Sequence, residues 1–223
     1  DEAYHVILRN AAHLYQYEQA RDDLLVALQY FERRGSPYGR ATVLNNLGVL
    51  ALWQGDVESA RRALLASCEL HYATVSNEVY QPLINLGVES ILADNMTKAR
   101  EHFVAARRWL PRTLLLDEIV LESNLSLLDL ADDRQSLNSV LDRLHSLYQQ
   151  ARATEDPRLR DQLAFTITRL AAVSGGRTAV APSPEFAFLV EQRQVSGFEV
   201  LKEIVVHGHR VGVLAILSPH WRH

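Results

Sequence analysis

The stretch NNLGVLALWQGDVESARRAL (residues 45–64) returns in imperfect copy as INLGVESILADNMTKAREHF (residues 84–103). The offset is constant. Gly48 falls on Gly87, Leu47 on Leu86, Asn46 on Asn85, Ala60 on Ala99, Leu64 on Phe103 and Ser67 on Ala106, each 39 residues apart. A period of this length constrains the fold more than any other feature of the chain. One such unit cannot bury its own apolar face and must stack on its neighbours. Each copy reads as two helices separated by a break, Gln54-Gly55-Asp56 in the first and Ala93-Asp94-Asn95 in the second. Gly, Asp and Asn are the residues that a tight helix–helix turn requires. Within a pair, antiparallel helices approach closely only where one of them presents Gly or Ala. A glycine inside a helix costs about 1 kcal/mol relative to alanine. Its recurrence at Gly48 and Gly87 therefore implies that packing offsets the cost.

The pattern extends in both directions. Upstream, Ala20, Leu24 and Ala27 take the second-helix positions, with Leu8 where the first-helix glycine would stand. Downstream, Asn124-Leu125-Ser126 keeps the 39-residue offset from Asn85-Leu86-Gly87, and Ser126 replaces the glycine. Leu137, Leu141 and Leu144 fall one residue early, which reads as a turn one residue shorter. Helix pairs are expected at 3–15 with 17–34, 38–53 with 56–73, 78–92 with 95–110, and 114–130 with 133–152. Gly35-Ser36-Pro37 separates the first two pairs. Pro82 fits a first turn, where a missing N–H matters least, and Pro111 ends the helix before it. Asp156 and Pro157 read as the N-cap and first residue of a further helix that stops at Gly175-Gly176. Leu159, Leu163, Ile167 and Leu170 give it an apolar stripe able to cover the last open face.

The order leucine–glycine in a first helix, then small, large and small residues in a second, resembles the tetratricopeptide repeat (TPR) family. Here these are Leu47-Gly48 with Ala60, Leu64 and Ser67, and Leu86-Gly87 with Ala99, Phe103 and Ala106. The usual TPR period is about 34 residues. The longer period here matches the long-helix variants found among bacterial regulators. The resemblance covers roughly residues 3–151. It implies a mainly α fold, a right-handed α-solenoid of about four TPR-like helix pairs plus a capping helix.

After residue 174 the character changes. Residues 175–184 (within SGGRTAVAPSPE) read as a linker between a helical repeat domain, 1–174, and a C-terminal element, 185–223. FEVLKEIVVHGHRVGVLAILSP holds two apolar, β-branched runs around a break, the signature of a β-hairpin with Gly208-His209 at the centre of its turn. EFAFLVEQRQ fits either a strand or a short helix. A lone hairpin is marginal in water, so it must pack on something.

Composition narrows the function classes. The net charge of −4 offers no basic footprint for nucleic acid. Cys68 is the only cysteine, which excludes an intrachain disulfide and points to a cytoplasmic setting. No apolar run is long enough for a membrane span. The phosphate-loop, nucleophile-elbow, zincin, dinucleotide and C-x-x-C motifs are all missing. His207 and His209, with Glu203, are the one arrangement that a metal-based or histidine-based enzyme would use. Flanking a turn glycine, they read better as exposed turn residues. No catalytic residue, metal or cofactor is expected, and Cys68 reads as a buried structural thiol.

The polar residues that stand out are asparagines. Asn46, Asn85 and Asn124 recur at the repeat period on first helices, and Asn45 adjoins the first. In the peptide-receptor class that the chain resembles, first-helix asparagines hydrogen-bond the backbone of a bound extended peptide. A carboxamide carries both donor and acceptor and so matches a peptide unit without demanding a sequence. The alternative is that each asparagine bonds to a neighbouring helix and holds the repeat spacing. Trp53, at the end of a first helix, joins Asn45, Asn46, Asn85 and Asn124 as a candidate ligand contact. The resulting expectation is a non-enzymatic protein- or peptide-binding module, the sensing part of a larger bacterial signalling or transcription-regulatory protein. The chain opens at Asp1 inside what reads as a helix, so the output domain is expected to precede it. A scaffold that forms homodimers through its hairpin is the competing reading.

Overall fold

The computed structural model describes residues 17–154, 156–176, 178–191 and 199–218. Among them the protein is mainly helical, with nine α-helices followed by a two-stranded antiparallel hairpin. The expected helix at 3–15, with Leu8, lies outside the described residues, as do His220, Trp221 and His223. Contacts divide the chain into two compact units. One comprises residues 1–111, 196–198 and 217–223; the other comprises 112–195 and 199–216.

In the first unit, α1 (Tyr17–Arg33), α2 (Pro37–Gln54), α3 (Val57–Ala73), α4 (Tyr80–Leu92) and α5 (Met96–Trp109) each pack on the next. A single 3₁₀ turn, Asn77–Val79, leads into α4. The boundaries follow local chemistry. Ser36 caps α2 by accepting the Gly39 N–H, with Pro37 as its first residue, and Gly55 ends it in the left-handed region at φ 79°. Asp56 caps α3 through the Ser59 N–H at 3.0 Å, and Asn95 caps α5 through the Lys98 N–H at 3.0 Å. Pro82 sits in the first turn of α4. Leu110, ahead of Pro111, turns extended and closes α5.

The repeated small residues are contact points. A Cβ on Gly48 would lie 2.5 Å from the Leu64 side chain, and one on Gly87 would lie 2.3 Å from the Phe103 ring. Ala60, Leu64, Ala99, Phe103 and Ala106 have no exposed surface at all. Ser67 adds a bond between helices, its Oγ donating to the Ala41 carbonyl at 2.7 Å. Arg61 on α3 clamps the buried Glu89 on α4 through both Nε and Nη2, and that carboxylate raises the guanidinium above its ordinary value.

The second unit holds α6 (Leu115–Ala131), α7 (Leu137–Arg152), α8 (Pro157–Val173), α9 (Pro184–Glu191), β1 (Glu199–Val206) and β2 (His209–Ile216). Here α7 packs on α6 and on α8, while α6 and α8 both meet β2. Asp156 caps α8 through the Leu159 N–H, with Pro157 following it. EFAFLVE is helical: it forms α9, whose Phe186 and Val190 pack with Phe165 of α8 and Leu214 of β2. Within the stretch read as a linker, Val180 is buried and its carbonyl accepts from Thr168 Oγ1. Ser183 bonds Asp161 through both its N–H and its hydroxyl.

Two expectations need correction. The turn between α6 and α7 is longer, not one residue shorter. α6 ends at Ala131, Asp133 adopts φ 53°, and the cap of α7 is Ser136. Counting from that cap, the packing positions are Val140, Leu144 and Leu147, all buried, while Leu141 is only half-buried. The hairpin turn is His207-Gly208 rather than Gly208-His209, because Val206 pairs with His209. Both turn residues have positive φ, 49° and 80°, the pattern of a type I′ turn.

Candidate functional site

The repeated asparagines are among the most deeply buried polar groups of the protein. Asn45, Asn46, Asn85 and Asn124 have no exposed surface, and each sits on the buried side of its helix. A buried carboxamide left without partners is costly, about 1–3 kcal/mol for each lost bond. Three of the four bond backbone groups late in the chain, each within its own unit.

In the first unit that backbone belongs to Ser218. Its N–H donates to Asn85 Oδ1 at 2.8 Å, and Asn85 Nδ2 donates back to its carbonyl at 2.9 Å. Asn85 thus grips one residue by both of its backbone groups, as a neighbouring strand would. The second proton on Asn85 Nδ2 goes to Asn45 Oδ1 at 2.9 Å, and Asn45 Nδ2 in turn donates to the Ser218 carbonyl at 3.3 Å. Two carboxamides and one peptide carbonyl therefore close a ring of hydrogen bonds. The hydrogen-bonding roles of Asn85 are fixed by this ring, since the reverse orientation would set oxygen against oxygen.

In the second unit Asn124 repeats the grip. Asn124 Nδ2 donates to the Ile216 carbonyl at 2.8 Å, and the Ile216 N–H donates to Asn124 Oδ1 at 2.9 Å. Two residues earlier, the Leu214 N–H donates to Thr166 Oγ1 at 3.3 Å. Residues 214 and 216 share one parity, so Thr166 and Asn124 serve the edge of β2 that β1 leaves open. Side chains on helices thus do for this edge what a third strand would do. The carboxamides and the hydroxyl that make these bonds are neutral groups.

Asn85 bonds across to Asn45 on α2, as the neighbouring-helix alternative has it, and also to backbone at Ser218. That backbone is the chain's own. The partner of Asn85 on α2 is Asn45, although Asn46 is the residue at the 39-residue offset. Asn46 is buried one position further along the helix. Trp53 is half-buried and packs against the cluster of Ala20, Leu24, Ala27, Val43 and Leu50 between α1 and α2.

Sequence reasoning did not identify Thr166, Ile216 or Ser218. The signal was present in VLAILS, where every residue is buried. A strand that is apolar on both faces is enclosed on both, and its open edge then needs donors and acceptors.

His207 and His209 are exposed in and beside the turn, with Glu203 exposed on β1. Among the described residues no three His, Cys, Asp or Glu side chains stand close enough to hold a metal ion. Cys68 is buried, and desolvation pushes its thiol up to about 12, so the thiolate is disfavoured there. No helix of the described residues is long and apolar enough to cross a membrane. No protein-family model matches the chain, and no curated protein matches it.

Proposed function

We propose that this chain is a TPR-like helical repeat module whose first-helix asparagines bind an extended peptide or protein segment by its backbone. In this reading it is the sensing part of a larger, cytoplasmic regulatory protein. The observation that carries it is the two-handed grip of Asn85 on Ser218 and of Asn124 on Ile216. A carboxamide placed this way recognises any extended residue and leaves side-chain selection to the surrounding apolar surface. Helix pairs repeated at 39 residues are the framework that presents such groups at regular intervals.

Ester scanning tests the reading. Aliphatic-rich nonapeptides are titrated against the chain, and each backbone amide of a binder is replaced in turn by an ester, which removes one N–H. Against the unaltered chain the most damaging ester should cost about tenfold in Kd, the loss of one buried hydrogen bond. Against whichever of Asn85→Ala and Asn124→Ala lacks the partner of that N–H, the same ester should cost little, while against the other variant it should keep its cost. Equal losses against all three chains, or no binding by any nonapeptide, contradict the reading.

A further inference from the structure

We propose that the segment Leu214–Ser218 is a built-in occupant of the peptide-gripping asparagines, and that an incoming extended peptide acts by displacing it. The inference rests on the peptide-binding reading and adds the state of the site before a ligand arrives. Every group that would grip a peptide is already engaged. Asn85 and Asn45 hold Ser218, and Asn124 and Thr166 hold Ile216 and Leu214. The segment is suited to leaving. It lies C-terminal to the nine helices of the described residues, so no helix follows it there. Leu214, Ala215 and Ile216 belong to a sheet that has two strands among the described residues, and such a hairpin is marginal on its own. Its hydrogen bonds to the asparagines run through backbone groups, which any extended chain can offer in its place.

The segment also describes its competitor. Its side chains at Leu214, Ile216 and Leu217 are buried, so a charged side chain at these positions would be desolvated. Leu214 fills an apolar cluster with Phe165, Phe186 and Val190. Ile216 and Leu217 are buried as completely. The ligand is therefore an extended peptide with uncharged, aliphatic side chains at the gripped positions. Self-occupancy lowers the apparent affinity for that peptide by the fraction of molecules whose segment is released.

The test uses a fluorescein-labelled RVGVLAILS peptide, the chain's own residues 210–218, titrated against the full chain. Ser218→Pro removes the N–H that Asn85 accepts, and position 218 lies beyond the paired residues of the hairpin. This variant should bind the probe at least about tenfold more tightly than the unaltered chain, and adding Asn85→Ala should cancel the gain. A second measurement needs no variant. Saturating probe should speed amide exchange at Ile216 and Ser218 of the unaltered chain. Probe that binds with no gain from Ser218→Pro and no change in exchange overturns self-occupancy and leaves peptide binding standing. Probe that binds neither chain overturns both.

Discussion

Asn85 donates both Nδ2 protons and accepts one N–H from two partners, a combination of donors and acceptor that an aspartate cannot supply. An aspartate has the same shape but can only accept. At position 85 it would keep the Ser218 N–H and face two oxygens, the Ser218 carbonyl and Asn45 Oδ1, with no exposed surface. Asn85→Asp should therefore destabilise the protein by about 3 kcal/mol or more once the carboxylate is ionised. The pH dependence has a definite sign. Burial and the facing oxygens raise the introduced carboxyl above its unfolded value, so the folded state takes up a proton that the unfolded state has released. The deficit should shrink at pH 5 and grow at pH 8, as read from thermal melting against the unaltered chain. A deficit equal at the two pH values would place the side chain in water. At this scale the sequence was informative about kind and less so about position. Three asparagines at a 39-residue spacing are visible, yet the bonded residue on α2 is Asn45 rather than Asn46. Neighbouring helical residues point about 100° apart, and a repeat offset alone does not say which of two adjacent asparagines faces the segment.

Elements were legible wherever local chemistry decides them. Caps at Ser36, Asp56, Asn95 and Asp156 follow from short polar side chains ahead of apolar runs. The left-handed turn residue recurs at Gly55, Asp94 and Asp133, at the same 39-residue interval. The α6–α7 turn escaped because Asp133, Arg134, Gln135 and Ser136 are all plausible turn residues, so the start of α7 could not be counted from composition. The glycines give the element-scale prediction. Alanine at Gly48 or Gly87 would gain about 1 kcal/mol of helix propensity, but its Cβ would strike a buried partner. Phe103 is a rigid ring with no exposed surface, whereas Leu64 can change rotamer. Gly87→Ala should therefore cost a net of about 1–3 kcal/mol, and Gly48→Ala less, in urea denaturation. If both variants were stabilised, the glycines would not be contact points and the packing argument for the repeat would fail.

At the scale of the whole molecule, the chain leaves the first unit after Pro111, rejoins it over residues 196–198 and returns to it again at Leu217. The returning segment was the least legible part of the fold. Its residues read as a hairpin strand, but nothing local tells a strand which side chains will cover its open edge; that pairing joins residues as far apart as Asn85 and Ser218. The repeat and the hairpin were each readable alone, and the asparagines' partner became visible only when both were placed. Amide exchange by NMR tests the central claim most directly, by following Ile216 and Ser218 in the unaltered chain and in two variants. Both amides should exchange slowly in the unaltered chain. Asn85→Ala should speed exchange at Ser218 and Asn124→Ala at Ile216, each by about tenfold or more relative to amides in the middle of α4 and α8. Fast exchange at both residues in the unaltered chain, or rates indifferent to the two substitutions, would contradict the claim that these asparagines hold an extended backbone.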